Sequence, residues 1–457
     1  MAEKRRELLN GSITKNLIKM SLPTMIGFMF QSLYDIVDMI WVGRISSSAV
    51  AGVTIFSTIF WLTEVLNEII GTSSISLISQ SFGTGDDEKI SLSIEQTLTF
   101  KALVAVIAAV IMLIILKPLL RFFTQDQTAL NSALSYGYIR IFFLPVMFSS
   151  YTINTAFRCI GDAKKPMIIM VIATIINVVL DPLFMFKRIP GTNIAGFNMG
   201  VFGAGLATVI SVTISFVLAF LIFMYGQNKA KIRLKMLLKL DRKIDKKLLT
   251  IGLPSGFQVL SRNLSGILTL KFVSIYGTAA VAAIGIGQKI LNFSFMPLVG
   301  FSMGASAIVG QCLGAQNIER AKCTVKKAAF LGAFVMLFVS AAAIIFPKGI
   351  LSAFISDCSV IKIGMPMIRI IAPGLIISGI TMGLGACFSG SGYNMPYFIS
   401  SIISRWCVQI PLLFIIVYIL KKPIIWVWVS FIAADAAEMI ATFFFYKKAN
   451  WQKKRVA

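Results

Sequence analysis

The segment Ile78-Ser-Gln-Ser-Phe-Gly83 recurs 231 residues later as Val309-Gly-Gln-Cys-Leu-Gly314. The same offset aligns Pro23 with Pro254 and holds from there through the repeated segments without an insertion or a deletion. A repeat of this length in an apolar chain is typical of membrane proteins whose two halves rock against each other to move something across the bilayer. The sequence therefore predicts two related halves packed around a central cavity.

The chain is far more apolar than a soluble domain. Of its 457 residues 57% are hydrophobic and 14% are charged, and the mean hydropathy is +0.84. Apolar runs of about 20 residues, the length that crosses a bilayer as a helix, recur from end to end. They predict an all-α integral membrane protein with twelve transmembrane helices. The predicted helices cover residues 16–42, 49–80, 94–118, 133–158, 167–187, 200–226, 248–275, 280–311, 327–347, 364–389, 396–420 and 424–446.

Basic residues are concentrated before, between and after the two sets of six helices. The linker 227–247 alone carries nine lysine and arginine residues. The positive-inside rule places this linker and both termini in the cytoplasm, with the chain in the cytoplasmic membrane. Residues 1–226 and 248–457 then form two six-helix lobes, which enter the bilayer in the same sense and are related by a pseudo-two-fold axis along the membrane normal. Topology and anionic lipid headgroups account for the net charge of +24, so we expect the lipid bilayer and not nucleic acid as a partner.

Five motifs follow one another along the first half. They are Leu33-Tyr-Asp-Ile-Val-Asp-Met-Ile-Trp-Val-Gly43, Ser79-Gln-Ser-Phe-Gly83, Phe157-Arg-Cys-Ile-Gly-Asp-Ala-Lys-Lys-Pro166, Asn177-Val-Val-Leu-Asp-Pro182 and Gly203-Ala-Gly-Leu-Ala-Thr208. In this order and spacing they resemble the motifs of the MATE (multidrug and toxic compound extrusion) transporters, in particular the DinF-like branch. The resemblance extends over essentially the whole chain. It implies an antiporter that expels lipophilic organic cations in exchange for H⁺ or Na⁺ by alternating access of the two lobes.

Asp38 lies in the first predicted membrane helix and Asp181 in the fifth, both within apolar sequence. An acid in the membrane core costs about 2.5–3.5 kcal/mol on insertion scales and by default faces a cavity or a partner. Asn177 lies one turn before Asp181 on the same face, and with Thr208 of the sixth helix this set suits a cation or a shared proton. The resemblance implies the same four residues as the cation site, with Tyr136 close by. The alternative is that both aspartates only hydrogen-bond to neighbouring helices.

Further candidates lie on the first two helices. Asp35 precedes Asp38 by three residues, and Glu64 and Glu68 share one face of the second helix. These three residues are candidates for a second acidic site that lines the same pathway. The alternative is that the second helix projects beyond the bilayer, where the glutamates meet headgroups or a lysine. Pro23 removes a backbone hydrogen bond early in the first helix, which makes it either a hinge or a static kink.

The second half does not repeat this acidic pattern. Arg262 and Lys289 lie in helices seven and eight, and Asp435 and Glu438 lie one turn apart in helix twelve. Buried charges require partners, so we expect internal ion pairs among these residues. The alternative is a role in substrate binding. The asymmetry favours a coupling site in the first half.

Residue types exclude several functions. Without histidine or a Gly-x-x-x-x-Gly-Lys-Ser/Thr loop, neither histidine-dependent catalysis nor direct driving by ATP is expected, and the six cysteines lack metal or disulfide spacing. We therefore predict a non-enzymatic protein that acts as a monomer and has no cofactor, and no metal site beyond Na⁺ at Asp38, Asn177, Asp181 and Thr208. Its 36 Phe and 21 Met suit varied amphipathic ligands, and the resemblance implies that the substrates are small amphipathic cations. The alternative function, kept open by Arg262 and Lys289, is a flippase for lipid-linked precursors.

Overall fold

The computed structural model describes residues 2–226, 232–233, 236–237, 239–355 and 357–456. Lys229, Lys231 and Lys235 of the predicted basic linker lie outside these ranges. Within them the chain is helical almost throughout. The helices are α1 (Ala2–Asn10), α2 (Ile13–Gly43), α3 (Ser47–Thr84), α4 (Asp87–Phe123), α5 (Gln127–Phe142), α6 (Leu144–Cys159), α7 (Lys164–Met185), α8 (Gly200–Tyr225), α9 (Arg242–Ser274), α10 (Thr278–Gly314), α11 (Ile318–Ile345), α12 (Pro347–Ser352), α13 (Cys358–Ser391), α14 (Met395–Ile419, with π-helical turns) and α15 (Ile425–Lys448).

The predicted all-α membrane architecture is confirmed, with one correction. In the described part of the chain ten helices are long and apolar enough to cross a membrane, and the other two predicted spans correspond to α9 and to the pair α5–α6. The fourth helix, predicted as continuous over 133–158, is broken at Phe143. The break is explained by Pro145, which lacks a backbone N–H and is tolerated in the first turn of a new helix.

Two helices begin earlier than predicted because side chains cap them. Asp86 accepts hydrogen bonds from the backbone N–H groups of Glu88 and Lys89, each at 3.1 Å, at the start of α4. At the equivalent position of the repeat, Asn317 accepts from the backbone N–H of Arg320 at 3.0 Å. Such caps satisfy N–H groups that the first turn of a helix leaves free. The helices therefore start at Asp87 and Ile318, outside the apolar runs that predicted them.

The two halves contact each other through equivalent helices. Helix α2 packs on α10, and α3 packs on both α9 and α10. Each half also has a separate apolar core, which contains Phe56 and Phe148 in the first half and Leu413 and Trp428 in the second. A third cluster combines residues of both halves, namely Leu8, Phe82, Phe157, Leu313, Phe388 and Trp451.

The shared cluster lies where both chain termini pack, and we call this end of the bundle the termini end. Arg320, at the start of α11, donates to the Leu8 carbonyl at 3.0 Å and 2.8 Å. The backbone N–H of Val456 donates to the side-chain oxygen of Gln80 at 2.9 Å. The halves are thus joined at the termini end, whereas their cores are separate elsewhere.

Two glutamines related by the repeat bridge the halves at the termini end. The Gln80 amide donates to the carbonyls of Gly390 and Ser391, at 3.1 Å and 3.2 Å. The Gln311 amide donates to the carbonyl of Cys159 at 2.8 Å. The offset of 231 residues relates Gln80 to Gln311 and Cys159 to Gly390. The two cross-half hydrogen bonds are therefore copies of one another, and we call them the glutamine pair.

Glycines next to the glutamine pair allow the close approach of α3 and α10. A Cβ atom on Gly83 would collide with the backbone oxygen of Gln311, and one on Gly314 would collide with the backbone oxygen of Gln80. Both glycines end the repeated segments that predicted the two halves. Their role is to let the two backbones meet without a gap.

Candidate functional site

Asp38 is positioned by a hydrogen bond to a neighbouring helix. Its carboxylate is 6% exposed, and Oδ2 accepts from the hydroxyl of Tyr136 on α5 at 2.9 Å. The Tyr136 oxygen in turn accepts from Nη1 of Arg140 at 3.0 Å. Tyr136 and Arg140 reach the same point because they lie one turn apart on α5. Oδ1 of Asp38 is buried and has no hydrogen-bond partner among the described residues.

Asp181 is fully buried on α7, and hydrogen bonds stabilise its carboxylate less than that of Asp38. Its Oδ1 accepts from the Asn177 amide at 3.2 Å. Oδ2 of Asp181 and Oδ1 of Asn177 are buried without a hydrogen-bond partner in the described part of the chain. Helix α7, which carries Asn177 and Asp181, packs on α2, which carries Asp38. Three unpaired oxygens, from Asp38, Asn177 and Asp181, are therefore available to a proton or a small cation.

Part of the predicted site lies on a cavity of about 360 Å³, whose lining does not include Asp38, Tyr136 or Asp181. Asn177 and Thr208 both line it, and the Thr208 hydroxyl donates to the Ala204 carbonyl at 3.1 Å, which leaves its oxygen free to accept. Met296 and Val299 of the second half close the opposite side. The cavity therefore lies between the halves, and its volume is in the range of small-molecule sites.

The second acidic group also lines this cavity. Asp35, Glu64 and Glu68 lie on its wall. Glu64 accepts from the Asn67 amide at 2.9 Å, and Glu68 accepts from the Thr72 hydroxyl at 2.5 Å. This position on the cavity wall differs from the alternative, in which the glutamates project to the headgroups.

Lys101 is a buried basic residue beside these glutamates that the sequence analysis missed. It lies on α4 with no exposed surface, and its ammonium stands 4.4 Å from the centre of the Tyr151 ring. Its Nζ has no hydrogen-bond partner among the described residues, and α4 packs on α3, which carries both glutamates. The detectable signal was a single lysine in the middle of an apolar helix, where a charge requires a partner.

Pro23 is buried inside α2, which continues as one helix from Ile13 to Gly43. The hydroxyl of the next residue, Thr24, donates to the Met20 carbonyl at 2.7 Å. The proline thus lies within a continuous helix that packs against α10.

Ion pairs neutralise most of the candidate residues in the second half. Arg262 donates to Glu438, and Arg405 lies 3.1 Å from Asp435 and 3.9 Å from Glu438. The expected pairing of Lys289 is wrong: Lys289 is exposed on α10, and in the described ranges no ion pair includes it. Arg405 of α14 takes its place, because it faces the acidic residues of α15 directly.

A bundle of two repeats around an acidic cavity between membrane-length helices is the architecture of a parallel-repeat membrane transporter. The chain belongs to the MatE family. The family model matches residues 23–183 and matches again at 254–415, which begin at the two aligned prolines. The predicted MATE resemblance and the two-lobe fold are confirmed, whereas the DinF-like branch stays a prediction.

Relatives of known name match over almost the whole chain. A probable multidrug resistance protein, YoeA of Bacillus subtilis, is 27% identical over 453 residues, covering 97% of this chain and 96% of the relative. A probable multidrug resistance protein NorM of Thermotoga maritima is 25% identical over 452 residues, covering 97% and 94%. A solved outward-facing structure of a multidrug resistance MATE family transporter superposes with a TM-score of 0.90 at 23% identity, covering 98% of each chain.

Proposed function

We propose that this protein is a multidrug efflux antiporter that exchanges lipophilic organic cations for H⁺ or Na⁺. The observation that carries the proposal is the set of three buried oxygens on Asp38, Asn177 and Asp181 that have no hydrogen-bond partner among the described residues. Asn177 of this set lines the cavity. A buried carboxylate without a counter-charge is costly, so a bound proton or cation stabilises this site. The names of the relatives support multidrug export as the activity.

Exchange follows from competition for one negative region. An organic cation in the cavity and a coupling ion at Asp38 and Asp181 both neutralise the negative charge of this region. Binding of one therefore weakens binding of the other. Because Arg262 and Arg405 already neutralise Glu438 and Asp435, the coupling site is assigned to the first half. No cofactor enters this scheme.

Alternating access requires the halves, residues 1–226 and 248–457, to separate at one end and close at the other. The conformation described here is joined at the termini end by the glutamine pair. With both termini in the cytoplasm, as the positive-inside rule predicts, this conformation is open to the outside. One chain supplies both halves and the cavity between them, so we propose that the monomer transports in the cytoplasmic membrane.

The flippase alternative receives less support. Of the two residues that kept this alternative open, Arg262 is paired with Glu438 and Lys289 is exposed on α10. The cavity wall instead carries Asp35, Glu64 and Glu68. These acids favour cationic substrates.

The test is uptake of a fluorescent organic cation into inside-out proteoliposomes under either a pH gradient or a Na⁺ gradient. We expect gradient-driven uptake by the wild type and its loss in Asp38→Asn, and the active gradient names the ion. The exposed Glu88 provides a matched control, Glu88→Gln, that should transport normally. Absence of uptake under both gradients would refute the drug-efflux function, and retained uptake in Asp38→Asn would move the coupling site to Glu64 and Glu68.

A further inference from the structure

A buried arginine on the cavity lining is not used by the cation-exchange scheme. Arg158, near the end of α6, is 3% exposed and lines the cavity between the halves. Its Nη2 lies 3.3 Å from the Met170 sulfur, while Nε and Nη1 have no hydrogen-bond partner among the described residues. A permanently charged side chain that is buried with two free donors is costly unless an anion accepts from it.

Arg158 lies at the closed end of the cavity. The next residue, Cys159, provides the carbonyl that Gln311 bonds across the two halves. The guanidinium also lies 5.2 Å from the centre of the Phe28 ring on α2. These contacts hold the positive charge at the base of the cavity, next to the contact that joins the halves.

Negatively charged side chains lie on the same cavity wall as Arg158. Glu64 and Glu68 line it together with Arg158 and Tyr151. Methionine side chains, from Met147, Met170 and Met296, line the cavity as well and adapt to varied apolar shapes. Among the described residues the cavity lining thus combines acidic side chains, apolar side chains and the unpaired guanidinium of Arg158.

We propose that Arg158 binds the carboxylate of zwitterionic amphipathic substrates, whose cationic group binds near Glu64 and Glu68. This inference rests on the proposed drug-efflux function and narrows its substrate class. Guanidinium is the side chain best suited to a desolvated carboxylate, since its charge is permanent and its donors are fixed in a plane. Substrates with one positive and one negative group are thereby preferred over simple cations of the same size.

The test compares a xanthene dye that has a free carboxylate with its methyl ester, which is a simple cation of nearly the same shape. Binding of each dye to the purified full-length protein is measured by fluorescence polarisation. We expect Arg158→Gln to weaken binding of the free-carboxylate dye about 10- to 100-fold, as for loss of a charged hydrogen bond, and to leave binding of the ester unchanged. Arg158→Lys should restore part of the difference, and Arg121→Gln, at an exposed arginine, should behave as the wild type.

The wild type alone also tests the inference, in case Arg158→Gln does not fold. It should bind the free-carboxylate dye more tightly than the ester, in vesicles of neutral phosphatidylcholine and in vesicles with added phosphatidylglycerol. Equal affinity for the two dyes, or equal weakening of both by Arg158→Gln, would overturn the carboxylate site. If the preference for the free-carboxylate dye disappears only in the vesicles with phosphatidylglycerol, a lipid phosphate occupies Arg158. This outcome would also overturn the carboxylate site. If the wild type neither binds nor transports either dye, the drug-efflux function itself fails.

Discussion

Replacing Gln311 by alanine should open the termini end of the molecule. The Gln311 amide donates to the Cys159 carbonyl at 2.8 Å, and both residues are buried. Alanine leaves that carbonyl without a donor, which costs about 1–3 kcal/mol. Water satisfies the carbonyl once the halves separate, so the cost falls only on the joined conformation. The open population should therefore rise roughly 5- to 150-fold.

Native cysteines provide the assay. Cys159, Cys312 and Cys387 are buried in the cluster that both halves share. In a background in which the other cysteines (Cys323, Cys358 and Cys407) are changed to serine, these three report separation of the halves. Their labelling by a membrane-impermeant maleimide in inside-out proteoliposomes should be faster in Gln311→Ala in proportion to the open population.

The repeat supplies a second variant, and the surface supplies a control. Gln80→Ala removes bonds to Gly390, Ser391 and Val456, so it should increase labelling more than Gln311→Ala. Gln127→Ala, at an exposed glutamine, should leave it unchanged. Labelling of folded Gln311→Ala at the rate of this control would refute the glutamine pair as the contact that holds the halves together.

Three further predictions concern single positions. Arg405→Met should lower the free energy of unfolding by up to about 3 kcal/mol, because it leaves the largely buried carboxylate of Asp435, 15% exposed, without its partner. Thermal unfolding in detergent measures this, and Asp435→Asn in addition should recover part of the loss. Glu64→Gln with Glu68→Gln should change the pH dependence of dye uptake, and an unchanged profile would remove this pair from the pathway. Pro23→Ala restores a helix hydrogen bond and should slow transport while dye binding is kept, whereas unchanged transport rates would identify a static kink.

The repeat in the sequence predicted the main features of the architecture. Equivalent positions in the two halves have equivalent surroundings. The same residue therefore occurs at both positions of the pairs Gln80–Gln311 and Gly83–Gly314, which made the halves alignable. What the alignment did not reveal is that these residues meet across the two halves, because a sequence offset contains no information on which elements touch. Helix starts at Asp87 and Ile318 were missed because capping side chains, not apolar runs, determine them.

The site was only partly predictable for a related reason. The bond between Asn177 and Asp181 is local and follows from helical spacing. Arg140 and Lys101 were overlooked because the side chains near them, Asp38 through Tyr136 for Arg140 and the Tyr151 ring for Lys101, come from other helices. A lone basic residue in the middle of an apolar helix was the available signal. Treating such bases as candidates for internal pairing, and not only as markers of topology, would have found them.

The most direct test of the central claim is whether the organic cation and the coupling ion compete at Asp38 and Asp181. Binding of a phosphonium cation to the purified protein is titrated at several pH values and Na⁺ concentrations, in the wild type, Asp38→Asn and Asp181→Asn. We predict that raising H⁺ or Na⁺ weakens binding to the wild type and has no such effect on either variant. The same ion dependence in all three proteins would contradict the account, because coupling would then reside elsewhere.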